Sequence, residues 1–414
     1  MADEREQLTL FRTSSISPSQ PNDLTDGDPL LQDDLPDRSS LAEILHDLGV
    51  ADDDPLPEGH IGELHQLWLE SRGARKVLGS FYTPTDIVAG LTDLTLGPML
   101  RAREALGADA VAGLRVIDPA CGSGNFLLAV ARRIEQSLTG LGMDQAMARQ
   151  HAFGRCVIGV DIDRDAIEIC RLLLIREAWG SVTREDVQTR VLTTDALTVP
   201  LHGGSPVLDH TEAVIPDWPH LFEFLKSPAG FDLVIGNPPF LSQLSRDTSR
   251  SKAYSSELSN RFGSAASGYV DPAALFLLLA SEIANPNGGV VALIQPISTM
   301  SARDARRVRQ EVASKGSMSS IWIADERVFD ADVDVYTPVF TLGSERNHTE
   351  ILAGRGFRKT GSDRAPEPED PTWSSLLATF RGVPRHEFQT IGQIGDIADA
   401  TADFRDQFYG LAPH

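Results

Sequence analysis

Apolar positions along the chain follow two alternating rhythms. Short runs bounded by turn residues predict buried strands: Leu114-Arg-Val-Ile-Asp118, Cys156-Val-Ile-Gly-Val-Asp161, Val191-Leu-Thr-Thr-Asp195, Phe231-Asp-Leu-Val-Ile235 and Gly289-Val-Val-Ala-Leu-Ile294. Between them the spacing turns helical, from Asp86 to about Leu100, Phe126 to about Leu138, Asp165 to about Trp179, Asp271 to Ala284 and Ser301 to Lys315, with a further helix around Trp218 to Leu225. Strands alternating with helices imply a doubly wound parallel sheet, an α/β fold. Ser319 to Ala324 and Val335 to Leu342 follow each other closely and predict a terminal antiparallel hairpin.

Before this core, Leu41, Ile44, Leu45 and Leu48, then Ile61, Leu64, Leu67 and Trp68, predict a small helical extension over residues 39–78. Residues 1–38 are rich in Ser, Pro and Asp and are expected to form an acidic, disordered arm. The periodic core sets a main domain over 79–350. Residues 351–414 open on a stretch rich in Gly, Arg and Pro and are expected to be a linker and the start of a C-terminal region.

Composition narrows the function classes. No apolar run reaches the roughly 18 residues of a membrane span, and the start carries no basic-then-apolar leader, so a cytoplasmic protein is expected. The three cysteines, Cys121, Cys156 and Cys170, make no metal-ligand spacing, and no metal is assigned. The net charge of -22 sits awkwardly with nucleic-acid binding, but residues 1–60 hold fifteen acidic residues against three arginines. A nuclease of the common type needs an acid two residues before a lysine; those positions here are Ala74, Phe224, Arg250, Ala313 and Phe357.

The chemistry lies at strand ends, where open α/β sheets bind ligands. Asp118 is followed by Pro119-Ala-Cys-Gly-Ser-Gly-Asn125, whose Gly122 and Gly124 let a ligand approach the backbone between a strand and a helix. Leu127 stands where a dinucleotide fingerprint has its third glycine, which argues against a plain NAD site. Asp161 ends the second strand, placed for a ribose or, alternatively, for a helix cap that Asp163 can supply instead. The strand from Phe231 stops at Gly236 and delivers Asn237-Pro-Pro-Phe240, two prolines that cannot continue a ladder. An amide oxygen at Asn237 and the Pro238 carbonyl are placed to accept both N–H bonds of one exocyclic amine. The loop after it carries Arg246, Arg250, Lys252 and Arg261, either a phosphate-contacting lid or a solvated insertion.

Gly79-Ser-Phe-Tyr-Thr-Pro84, Asp118-Pro-Ala-Cys-Gly-Ser-Gly-Asn-Phe-Leu127 and Asn237-Pro-Pro-Phe240, in that order over roughly residues 60–345, resemble the gamma-class N6-adenine DNA methyltransferases of restriction-modification or phage-defence systems (type I, type IIG or BREX-like). The resemblance implies a Rossmann-like S-adenosylmethionine-dependent methyltransferase sheet with the cofactor held by Tyr82, Thr83, Asp118, Pro119, Ala120, Gly122, Gly124, Asn125, Phe126, Asp161, Ile162, Asp195, Ala196 and Asn237. It implies methyl transfer to the amine of a flipped adenine by Asn237, Pro238, Pro239 and Phe240, with Phe240 and Tyr336 stacking on the base. Double-stranded DNA and a separate specificity or target-recognition subunit are the implied partners. Other readings stay open: an N4-cytosine, ribosomal RNA or protein-glutamine methyltransferase, or a cofactor-binding subunit active only beside a specificity partner.

Overall fold

The computed structural model describes residues 83–198, 229–240, 252–268, 270–325, 328–329, 333–345, 348–359, 365–366 and 372–382. The extension over 39–78, Tyr82, the helix around Trp218, Arg246 and Arg250 lie outside them, as does the stretch after residue 382. The described chain runs α1 (Thr85–Glu104), α2 (Ala108–Ala112), β1 (Val116–Asp118), α3 (Asn125–Gly140), α4 (Gln145–His151), β2 (Val157–Asp161), α5 (Arg164–Glu177), α6 (Arg184–Gln188), β3 (Val191–Thr193) and β4 (Leu233–Gly236). It continues through α7 (Lys252–Phe262), α8 (Pro272–Ile283), β5 (Val290–Leu293), β6 (Gln295–Pro296), α9 (Arg306–Lys315), β7 (Gly316–Ile323) and β8 (Val335–Leu342). β9 (His348–Ala353), β10 (Arg358–Lys359), β11 (Ala365–Pro366) and α10 (Ser374–Phe380) complete it.

The strands form one sheet in the order β10-β9-β7-β8-β5-β4-β1-β2-β3. β3, β2, β1, β4 and β5 are parallel, which demands helical crossovers and buries both faces; this is why their sequences are unbroken apolar runs. β8 then runs antiparallel to both β5 and β7, so the expected hairpin is present. The sheet does not stop there. β9 pairs in parallel with β7, and Trp373 and Leu376 at α10 are buried beside Tyr336 and Phe340. The stretch read as a linker from residue 351 is therefore partly built into the same core.

Two apolar layers flank the sheet. One holds Ile87, Leu91 and Leu96 of α1 with Leu127, Val130 and Ile134 of α3. The other is dominated by α8, whose side chains from Ala273 to Ala280 are all buried and whose start is capped by Asp271 accepting from the Ala273 N–H at 2.9 Å. Arg309 on α9 is buried, donating to the carbonyls of Thr299 at 2.6 Å and Ala302 at 2.9 Å. No helix among the described residues is long and apolar enough to cross a membrane.

Candidate active site

The order in which the chain adds parallel strands switches sides between β1 and β4, and in open α/β sheets the ligand crevice lies outside the carboxyl ends at such a point. Four predicted residues meet along that edge: Asp118 ending β1, Asp161 ending β2, Asp195 just past β3, and Asn237 just past β4. β1 and β4 lie so close that a Cβ added at Gly236 would stand 2.3 Å from the Asp118 Oδ1. Only glycine fits between the first carboxylate and the tetrapeptide.

The loop from Pro119 to Gly124 is fixed by its own backbone. Ala120 N–H donates to the Asp118 Oδ1 at 3.0 Å, Cys121 N–H to the Val160 carbonyl at 2.9 Å, and Gly122 N–H to the Asp161 Oδ2 at 2.7 Å. Gly124 caps α3 with a left-handed φ of 94°, and a Cβ there would lie 2.5 Å from the Cys170 sulfur. Asn125 opens the helix half-buried. Phe126 is 3% exposed and packs in the core cluster around α3.

Asp163 caps α5, accepting from the Asp165 and Ala166 N–H groups, and so leaves Asp161 without that duty. Asp161 also accepts from the Asp163 N–H at 2.9 Å. Each of its oxygens thus holds one backbone donor and retains a second lone pair. Burial pushes its carboxyl up to about 6 despite those donors. Burial raises the Asp118 carboxyl as well, against the hydrogen bond from the Ala120 N–H and with the neighbouring Asp161 charge adding to it. Asp195 is raised by burial too, against hydrogen bonds from the Leu197 N–H and the Tyr254 hydroxyl. Three carboxylates held against their preference for water make an edge that favours a cation. Ile162, 63% exposed, presents an apolar side chain on its rim, while Ala196 is buried.

Thr83 was expected beside the cofactor, ahead of an ordinary helix start. Pro84 caps α1 with no side-chain bond, and the Thr83 hydroxyl instead accepts from the Asn237 Nδ2 at 3.0 Å. The Asn237 Oδ1 is buried and has no partner among the described residues. The amide is held by one end and open at the other. Pro238 is buried and Pro239 half-buried. Phe240 is 3% exposed, its ring packed edge-on against Phe329 at 6.2 Å between centroids.

Tyr336 is a correction. It is the second residue of β8, between Gln295 of β6 and Ile323 of β7, fully buried, with its hydroxyl on Thr299 at 3.0 Å and its ring against Trp373. No ring face is left for a base. Arg261, in the stretch read as either a phosphate-contacting lid or a solvated insertion, lies in α7 and pairs with Glu282 at 2.6 Å. Tyr254 was missed; its signal is Tyr254, Leu258 and Phe262 at helical spacing, which seats α7 on the core beside Asp195.

Residues 155–329 match the family model described as Eco57I restriction-modification methylase, a stretch running from the lead into β2 past the tetrapeptide. Comparison with curated protein sequences finds no match. Among solved structures, the chain resembles the type IIL restriction-modification enzyme MmeI in complex with DNA at 17% identity and a TM-score of 0.53, over 79% of this chain and 45% of that one. It resembles a DrdV–DNA complex at 16% identity and a TM-score of 0.51, over 74% of this chain and 30% of that one. A type I restriction-modification methyltransferase subunit from Streptococcus thermophilus follows at 15% and 0.42, over 80% and 60%. The chain thus spans less than two thirds of these proteins' length. The likeness to MmeI and to the DrdV complex shows that the chain shares the mixed α/β fold found in those enzymes.

Proposed function

We propose that this chain, which carries a restriction-modification methylase segment over residues 155–329, methylates the N6 amine of adenine in double-stranded DNA with S-adenosylmethionine as donor. The observation that carries the reading is the Asn237 amide. Its nitrogen is tied to Thr83 and its oxygen is buried, without a partner among the described residues, at the sheet edge beside a row of carboxylates. A buried acceptor left open costs roughly 1–3 kcal/mol, so a ligand that donates to it has that much to restore.

The residues fit the donor. Gly122 and Gly124 give it backbone to rest on, the free lone pairs of Asp161 suit ribose hydroxyls, Asp195 suits an adenine amine, and Asp118 adds negative charge under the glycine loop. When bound, S-adenosylmethionine supplies an electrophilic methyl group on a sulfonium. The chain's own work is on the acceptor. The adenine amine is a poor nucleophile because its lone pair is delocalised into the ring. The Asn237 oxygen and the Pro238 carbonyl accept its two N–H bonds, drawing the nitrogen toward tetrahedral geometry and localising that pair. The two prolines hold both acceptors on a stiff backbone. An amine inside a duplex is out of reach, so the base leaves the stack and takes the place of Phe329 against Phe240.

Asn237 at the head of the tetrapeptide favours adenine over cytosine, whose N4 enzymes more often carry Ser there. A separate specificity subunit or domain supplies target recognition, in keeping with the acidic charge balance. The test is transfer of a labelled methyl group from the donor to unmethylated DNA, to RNA and to protein in parallel. Label enters DNA and is lost with Asn237→Ala. Label confined to RNA or protein overturns the reading.

A further inference from the structure

We infer that the turn at residues 354–357, which follows β9, is a clamp that positions Asn237 through α1, with Phe357 as its wedge and Arg355 as its tether; this rests on the reading of Asn237 above. Both are positioning residues, acting through Thr83.

The topology puts the turn in reach. β8 is antiparallel to β5 and to β7, and β9 is parallel to β7, so β7 and β9 run in the direction of β5. Their carboxyl ends lie on the edge that carries Asn237. The turn is fastened there. The Trp322 Nε1–H donates to the Gly354 carbonyl at 2.9 Å, the Gly354 N–H to Ile323 at 3.3 Å, and the Phe357 N–H to Gly354 at 3.1 Å. The Phe357 ring stacks on Trp322 with centroids 5.3 Å apart and planes 20° apart.

From that base it grips α1 at two points. A Cβ added at Gly90 would stand 1.9 Å from the Phe357 Cε2, so the ring fills the volume where any other residue would have a side chain. Glycine inside a helix weakens it, and here the absent side chain admits the wedge. Arg355 donates from Nη1 to both Asp86 oxygens, at 3.1 and 2.9 Å, in the first turn of the helix. That turn has no side-chain cap of its own, and Thr83, the acceptor for the Asn237 amide, lies just before it. Phe357 holds a left-handed φ of 49°, a conformation that a bulky residue adopts only when its surroundings require it. An aromatic kept there in place of glycine is kept for its ring.

The test combines hydrogen exchange with a double-mutant cycle on the full chain and the proteins that purify with it. Phe357→Gly removes the ring while suiting the left-handed backbone, and a cooperative melt verifies the fold. It is expected to speed amide exchange in the first two turns of α1, leave β1 and β4 protected, and lower kcat on unmethylated DNA roughly tenfold at saturating donor. Thr83→Val is expected to lower kcat similarly, and the double variant to be no slower than the poorer single one, because both act on one amide. Exchanging the charges, Asp86→Arg with Arg355→Asp, is expected to recover most of what either change loses alone. Unchanged exchange in α1, or losses that multiply in the double variant, overturn the clamp. Thr83→Val acting at the unaltered rate overturns the reading of Asn237 instead, with the exchange result still standing.

Discussion

Two stretches of one sheet edge face the same crevice and are finished differently. Along β1, β2 and β3 every carboxylate already holds backbone N–H groups: Asp118 that of Ala120, Asp161 those of Gly122 and Asp163, and Asp195 that of Leu197. At the end of β4 the Asn237 oxygen is buried and holds no donor among the described residues. The first stretch is built before any ligand arrives and is suited to binding. The second leaves an acceptor open and is suited to chemistry on an incoming amine. The difference separates affinity from rate, and each can be broken alone.

The largest effect is expected at the open end. Asn237→Ala should lower the methyl-transfer rate on the order of a hundredfold or more while leaving donor affinity, read by calorimetry, within about threefold. Equal losses in both would erase the contrast. Next comes Asp161→Ala, which should weaken donor binding roughly ten- to a hundredfold and, at saturating donor, change the rate much less.

The same carboxylate gives the contrast a pH signature. Burial raises Asp161 to about 6 from an ordinary 3.8, so the folded state binds this proton more tightly than the unfolded state. Taken alone, the group loses the protein stability as pH rises from about 4 to 6, and at neutral pH it sits ionised at a cost. Asp161→Asn sets an amide N–H against one backbone donor, a loss at every pH; beyond that loss, its stability relative to the unaltered protein should be about 1–2 kcal/mol better at pH 7.5 than below pH of about 4, allowing for the group's partial exposure. Thermal melts at the two pH values check this. Donor affinity in the unaltered protein should fall as pH drops through about 6, where the acceptor oxygens are protonated.

The smallest effect belongs to the core. Tyr336→Phe removes only the bond to Thr299 and should cost about 1 kcal/mol of stability without changing kcat. A large loss of rate would return Tyr336 to the substrate.

What the sequence disclosed was what strand ends and tight loops write locally. Asp118, Asp161 and Asn237 each follow an apolar run that stops, and parallel pairing brings those ends together. Tyr336 misled because a strand between two antiparallel neighbours buries both faces, so alternation gives no clue to which side chains line a cleft. Thr83 was placed at the site, but its bond to Asn237 joins residues 154 apart, which no local pattern records. The pairing of β9 with β7 is likewise tertiary: His348 to Ala353 carries few strand formers, and the sheet beside it decides its state.

The most direct measurement is mass spectrometry of nucleosides from unmethylated DNA incubated with S-adenosylmethionine and the protein with the partners that purify with it. The account predicts that N6-methyl-2′-deoxyadenosine accumulates and that Asn237→Ala abolishes it. Methylated deoxycytidine as the product, or an undiminished yield of N6-methyl-2′-deoxyadenosine from the variant, would contradict it.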